Sequence, residues 1–142
     1  MPSALWYRPG FSDAAALLSM MLVTLGIPRS CARVLAVLYL SEKPLTSREL
    51  AELTGYSRST ISAATRMLAS RRMIRKLRRG RHDTYVAHIG LSQLLLEAQI
   101  SLLEHVVKKI GEIRLKINST LGNKLAAVER ELTDLISIFK GE

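Results

Sequence analysis

Ser47 to Ser70, SRELAELTGYSRSTISAATRMLAS, constrains the fold more than any other stretch of the chain. Thr46 stands at an N-cap position, and Glu49 three residues on completes a capping box. Leu50 and Leu53 follow at helical spacing, with Ala51 beside them. Gly55 then supplies a turn, where a positive φ costs least without a Cβ. Ser57 can cap a second helix. In that helix Ile61, Ala64, Thr65 and Leu68 form an inward stripe, while Arg58, Ser59, Ser62 and Arg66 present polar groups outward. Small Ala51, then Gly55 four residues later, then β-branched Ile61 six further on is helix-turn-helix spacing. An ordinary helical hairpin in a core could carry the same pattern, so the segment behind it has to decide.

That segment is Arg71 to His82, RRMIRKLRRGRH, in which Met73, Ile74 and Leu77 are the only large apolar residues. Arg78, Arg79, Gly80 and Arg81 read as a turn, and Thr84, Tyr85, Val86 and Ala87 as a returning strand. A hairpin tipped with arginines just after such a helix is a wing, suited to the DNA backbone or the minor groove. A charge run is ordinarily a solvated face, but here the charge is concentrated. Residues 45–90 carry ten cations and three anions, residues 1–44 four and two, and residues 91–142 seven of each. The net +9 of the chain is therefore mostly a +7 head, the distribution that phosphate neutralisation with counterion release would use.

At 142 residues the chain has room for one domain, or one domain and a dimerisation arm. Hydrophobic residues make up 48% and aromatics 5%, so a core rich in Leu, Ala, Ile and Val with few strand signals predicts a mainly α protein. A single Cys excludes an intrachain disulfide framework and suits a reducing interior. Ala14 to Leu25 is apolar but short of the roughly 20 residues a bilayer span needs, and Asp13 precedes it where a secretory signal carries positive charge. These features predict a soluble, cytoplasmic protein with no membrane partner.

Three parts follow along the chain. In residues 1–26, Ser12 can cap a helix through about Leu25, ended by Gly26, and Trp6, Tyr7 and Phe11 are candidates to pack on the dimer arm. In residues 27–90, Pro28 starts a helix carrying Ala32, Leu35, Ala36, Leu38 and Tyr39. Leu45 can then add a strand of one or two residues in support of the wing. Residues 91–142 hold a long apolar stripe: Leu103, Val106, Ile110, Ile113, Ile117, Leu121, Leu125, Val128, Leu132, Leu135 and Phe139. Its steps of three and four give a helical face rather than a strict heptad seam. Gly111 and the Asn118 to Asn123 region are weak points, so one long helix and two helices broken near residue 120 are both allowed. An uncovered face of this kind marks a partner surface, and a second copy about a two-fold axis is the commonest partner. The alternative is that the arm folds back within one monomer.

The residues from Leu25 to Ala87 resemble the MarR superfamily of winged-helix regulators. They are most similar to its GbsR-type branch, in which a Pro-Arg-Ser segment precedes an Ala-Arg helix and the recognition helix reads like SRSTISAATRML. The similarity covers under half the chain. It implies a winged helix-turn-helix with N- and C-terminal helices interlocked in a dimer, and paired recognition helices on a pseudo-palindromic site. By position, Ser57, Arg58, Ser59, Thr60, Ser62, Ala63 and Arg66 correspond to the recognition helix, and Arg78, Arg79 and Arg81 to the wing tip. The wing departs from the common pattern, where an Asp-Arg pair precedes a strand ending in Leu-Thr. Here the order is Arg81, His82, Asp83, and the strand ends His88-Ile89-Gly90.

Double-stranded DNA is the expected partner, with helix 57–70 in the major groove and wing 73–88 along the backbone or minor groove. Arg58 and Arg66 are candidates for guanine, since arginine can bond O6 and N7 together, and Ala63 for a thymine methyl. Ser59, Thr60 and Ser62 can serve bases or phosphates, and Ser47 and Arg48 a phosphate. Arg71, Arg72, Arg75, Lys76, Arg78, Arg79, Arg81 and His82 are expected to supply sequence-independent grip. Other chemistry is thin. Cys31 reads as a buried structural thiol rather than a redox sensor. His82, His88 and His105 lack metal-ligand spacing, and no nucleophile–base pair, carboxylate pair or phosphate loop appears. No cofactor, metal or catalytic site is expected. A pocket between arm and head would suit a small-molecule effector, though no polar cluster identifies one. Three readings stay open: a sequence-specific regulator acting as a repressor, an architectural or partition protein coating DNA, and a winged helix that binds only protein.

Overall fold

A computed structural model of the chain describes residues 8–117 and 119–142. They form six helices and three short strands in two compact units, one ending at Leu91 and one running from Ser92 to Glu142. Trp6 and Tyr7, expected to pack on a dimer arm, lie outside the described residues.

The first unit is built around α2, Arg29–Leu40. Its run from Val34 to Leu40 carries no charge, and Cys31, Ala32 and every residue from Val34 to Leu38 are buried. A helix apolar on nearly all sides has to be enclosed by other elements. Helices α1 (Phe11–Thr24), α3 (Ser47–Thr54) and α4 (Arg58–Ser70), with strand β3 (His82–Ala87), all pack against it. At its C-terminal end the Tyr39 hydroxyl donates to the Ile89 carbonyl at 2.8 Å.

Most local signals act as the sequence predicts. The Glu49 N–H donates to Thr46 Oγ1 and the Thr46 N–H to the Glu49 carboxylate, each at 3.1 Å. Gly55 closes α3 at φ +77°. The Ser57 hydroxyl caps α4 by accepting the Thr60 N–H at 3.2 Å. Ser12 does not cap α1. Gly10, at φ +83°, holds the position before the helix, and Ser12 falls in the first turn. The chain enters α1 through a left-handed residue, which glycine adopts and serine avoids.

Helix α4 ends in a Schellman arrangement: the Met73 N–H reaches the Leu68 carbonyl, and the Arg72 N–H the Ala69 carbonyl, both at 3.0 Å. The left-handed residue this motif requires is Arg72, at φ +59°, the one described non-glycine residue with a positive φ. At the end of α1 the same motif has Gly26, at φ +92°.

The strands form one antiparallel sheet in the order β1-β3-β2, with β1 at Leu45–Thr46 and β2 at Ile74–Arg79. Arg79 pairs with His82, so the turn is Gly80–Arg81 alone. Gly80 stands first at φ +62°, the glycine position of a type II′ hairpin. Arg78 and Arg79, expected in the turn, are thus strand residues, because a two-residue primed turn matches the strand twist better than a longer loop. The returning strand likewise starts at His82, two residues before the expected Thr84.

The second unit has two helices, α5 (Leu91–Arg114) and α6 (Thr120–Lys140), so the arm is broken. Arg114 pairs with Glu129 at 2.9 Å and Lys140 with Glu104 at 3.4 Å. Earlier residues of one helix meet later residues of the other, which makes the pair antiparallel. Ile117 lies in the connection, and the predicted stripe is therefore two shorter faces. Leu103, Val106, Ile110, Leu125, Leu132, Leu135 and Phe139 are half-buried, whereas Ile113, Leu121 and Val128 are exposed.

Two substitutions test these packing and capping arguments. Ile61→Ala, in the fully buried stripe of α4, should cost about 2–4 kcal/mol in urea unfolding. Arg72→Gly should gain about 0.5–1 kcal/mol by relieving the left-handed strain.

Candidate nucleic-acid interface

The rotation of α4 about its axis is fixed by what it buries. Ile61, Ala64, Thr65 and Leu68 are inside, and the Thr65 hydroxyl is satisfied by the Ile61 carbonyl at 2.8 Å. Arg58, Ser62 and Arg66, spaced by four, are left on one exposed line. Ser59 and Ala63 are also exposed, and Thr60 is half-buried. The first turn is tied together by hydroxyls: Ser57 Oγ lies 3.1 Å from Ser59 Oγ and donates to Thr60 Oγ1 at 3.0 Å. Ser57 and Thr60 are thereby engaged in capping, and Ser59 and Ser62 keep more hydrogen-bonding capacity.

The wing brings further groups to this face. Thr46, Ser47, Arg48, Arg58, Arg81 and His82, with Asp83 and Tyr85, line an open cavity of about 480 Å³. The start of α3, the start of α4 and the wing tip thus meet around one concavity. A second groove of about 290 Å³ separates α4 from the hairpin, between Ser62, Thr65, Arg66 and Ala69 on one side and Lys76 and Tyr85 on the other.

Strand alternation divides the wing cations, which look equivalent in sequence. Ile74, Lys76 and Arg78 share the face that turns toward α4, and Arg75 and Arg79 lie on the other. Arg71 and Arg72 stand at the corner between helix and hairpin. All the arginines from Arg71 to Arg81, with Lys76 and His82, are exposed.

Ion pairing separates these cations further. Arg48 lies 3.5 Å from Glu52, and Lys76 and Arg78 each lie 3.5 Å from Asp83. Among the described residues no ion pair is made by Arg58, Arg66, Arg71, Arg72, Arg75, Arg79 or Arg81. Such clustering of unneutralised positive charge is an electrostatic footprint for a polyanion. Asp83 and Tyr85 were not legible as parts of this site from sequence. The usable signal is the turn: once Gly80–Arg81 is the loop, Arg78 faces Asp83 and Lys76 faces Tyr85.

Cys31 is buried between α2 and α4, with its Sγ 3.4 Å from Met67 Sδ. Burial pushes its thiol pKa up, against smaller lowering effects of Ser30 and the Arg71 charge. Burial likewise raises the Tyr39 hydroxyl. Among the described residues no group of three His, Cys, Asp or Glu side chains is placed to hold a metal ion, and no helix is long and apolar enough to cross a membrane.

A helix-turn-helix followed by a cationic β-hairpin is a winged-helix architecture, of the kind that binds nucleic acid. Residues 25–83 match the MarR family. The "Putative HTH-type transcriptional regulator YvaV" of Bacillus subtilis (strain 168) is 30% identical over 110 residues, which are 76% of this chain and 60% of that protein. The HTH-type transcriptional repressor OpcR of the same organism is 31% identical over 115 residues, 80% of this chain and 56% of that protein. The chain thus spans a little over half the length of these curated relatives. A crystal structure of a transcriptional regulator shares the fold at a TM-score of 0.59 and 16% identity, covering 94% of this chain and all of that one.

The raised pKa keeps Cys31 neutral near pH 8, and burial blocks access, so a thiol-specific disulfide reagent should label it at least about 100-fold more slowly in the native chain than in urea. Comparable rates in the two would refute the structural assignment.

Proposed function

We propose that the chain is a dimeric, sequence-specific DNA-binding transcriptional regulator acting as a repressor, related to the GbsR-like branch of the superfamily. The observation that carries this reading is the cationic surface on which Arg58 and Arg66 of α4, neither ion-paired among the described residues, meet the wing. The recognition helix lies in the major groove, where Arg58 and Arg66 read guanine and Ala63 meets a thymine methyl. Ser59 and Ser62 add base or phosphate bonds. Ser47 and Arg48 take a phosphate beside the wing tip. Arg71, Arg72, Arg75, Arg79, Arg81 and His82 hold the backbone, and the wing tip reaches the minor groove or lies along the phosphates.

Dimerisation by the N-terminal helix and residues 91–142 is part of the same proposal, with residues 27–90 as the DNA-binding domain. Leu17 and Met20 of α1 are more than half exposed, as are Ile113 and Leu121 of the C-terminal unit. Apolar side chains of this size are what a second copy would cover. Two heads about 34 Å apart would engage successive major grooves. An unidentified small-molecule effector and a cytoplasmic location complete the reading. The repressor name of one relative supports the direction of regulation.

One observation favours a second reading. Seven arginines that make no ion pair among the described residues would also suit an architectural protein that coats DNA with little sequence preference. Selection of bound sequences from a random duplex pool separates the two: a palindromic winner supports the regulator, and no enrichment supports the coat. On the selected site, Arg58→Ala should cost about 1–3 kcal/mol and relax sequence preference. Arg79→Ala should weaken all sequences alike and flatten the salt slope by about one. Equal losses on cognate and random DNA for both variants would remove the proposed division of labour.

A further inference from the structure

Among the described residues lining the cavity where α3, α4 and the wing tip meet, the one carboxylate is Asp83. The other two acids of residues 45–90 are used elsewhere: Glu49 in the α3 capping box, with Lys43 beside it at 3.5 Å, and Glu52 with Arg48. Asp83 takes two cations at once. Lys76 Nζ lies 3.5 Å from its Oδ2, and Arg78 Nη1 lies 3.5 Å from its Oδ1. One oxygen per cation is how a backbone phosphate bridges two basic side chains. The group lies on the hairpin face that turns toward α4, and Asp83 also lines the cavity shared with Arg48, Arg58 and Arg81.

The pairs are weak by construction. Lys76 and Arg78 are more than half exposed and Asp83 about a third exposed, a setting in which ion pairs contribute little to stability. A more highly charged anion can therefore displace the carboxylate without unfolding the hairpin.

We propose that Lys76 and Arg78 form a phosphate seat for the DNA backbone, and that Asp83 occupies this seat in the free protein as a surrogate for the phosphate. This rests on the DNA-binding reading above and adds to it a residue that works against binding. DNA has to displace the carboxylate and then sit beside it, so Asp83 caps the sequence-independent grip of the wing. A scaffold carboxylate that merely aligned Lys76 and Arg78 would have the opposite effect, and its removal would weaken binding.

The test measures affinity of the full chain for a 30-base-pair duplex between 50 and 200 mM salt. Asp83→Asn should tighten binding about 3- to 10-fold at 100 mM salt and steepen the slope of log K against log salt by about one to two, near 0.9 for each phosphate newly neutralised. Asp83→Ser, also uncharged, should give the same gain and guards against a defect peculiar to asparagine. In a Lys76→Ala, Arg78→Ala background, Asp83→Asn should change affinity by less than about twofold. Asp13→Asn on α1 adds the same charge away from the seat and should leave binding within about twofold. Unchanged or weaker binding by both uncharged variants overturns the proposal, as does a gain that survives loss of Lys76 and Arg78 or one that Asp13→Asn matches. If the unsubstituted chain and every variant ignore the duplex at 50 mM salt, the DNA-binding reading itself fails.

Discussion

The packing of α4 on α2 is the constraint from which the candidate interface follows. α2 carries an uncharged run from Val34 to Leu40 and packs against α4, whose Ile61, Ala64 and Leu68 are all buried. Removing one such large side chain from water contributes about 1.5–3 kcal/mol, whereas turning Arg58 or Arg66 inward would bury an unpaired guanidinium at far greater cost. The difference locks the rotation of α4. Once it is locked, Arg58, Ser62 and Arg66 must point away from the core together.

The sheet sets the second half of the face. β1 has only Leu45 and Thr46, yet its pairing with Tyr85 and Thr84 ties the hairpin to the start of α3. The same Thr46 caps α3. One residue therefore joins the wing to the helix-turn-helix, and the wing tip, the start of α3 and the start of α4 converge on one cavity. The Gly80–Arg81 turn then decides which wing cations face α4 and which face away. The charge excess visible in composition becomes a shaped surface only through this register.

What could be read in the sequence was what depends on near neighbours. The Thr46–Glu49 box, the Gly55 turn, the Ser57 cap and the inward stripe of α4 are set by spacings of three to six residues, and each appears as expected. The short β1 strand was also legible, because Leu45 lies just before the cap. Ser12 failed as a cap because a left-handed glycine two residues earlier supplies a different entry to α1. The extent of the turn was overestimated because arginine runs carry no strand signal, while pairing with β3 extends β2 through Arg79. The left-handed Arg72 was invisible, since nothing local distinguishes it from its arginine neighbours. The sharing of Asp83 by Lys76 and Arg78 depends on cross-strand register, which single-residue patterns do not report. In the C-terminal unit the period of the stripe is legible, but its steps of three and four fit one continuous face and two shorter ones equally well. Ser119 and Thr120 disfavour helix interiors, and the chain uses the interruption to reverse direction.

In the proposed account, the first unit grips and reads DNA while the balanced charge of residues 91–142 leaves the second free for protein contacts. The most direct test is a crystal structure of the full chain on a duplex recovered from random-pool selection. The account predicts α4 in the major groove, Arg58 within hydrogen-bonding distance of a guanine edge, and Arg79 or Arg81 against the backbone or in the minor groove. A complex in which α4 faces solvent, or in which DNA is held by the C-terminal unit, would contradict it.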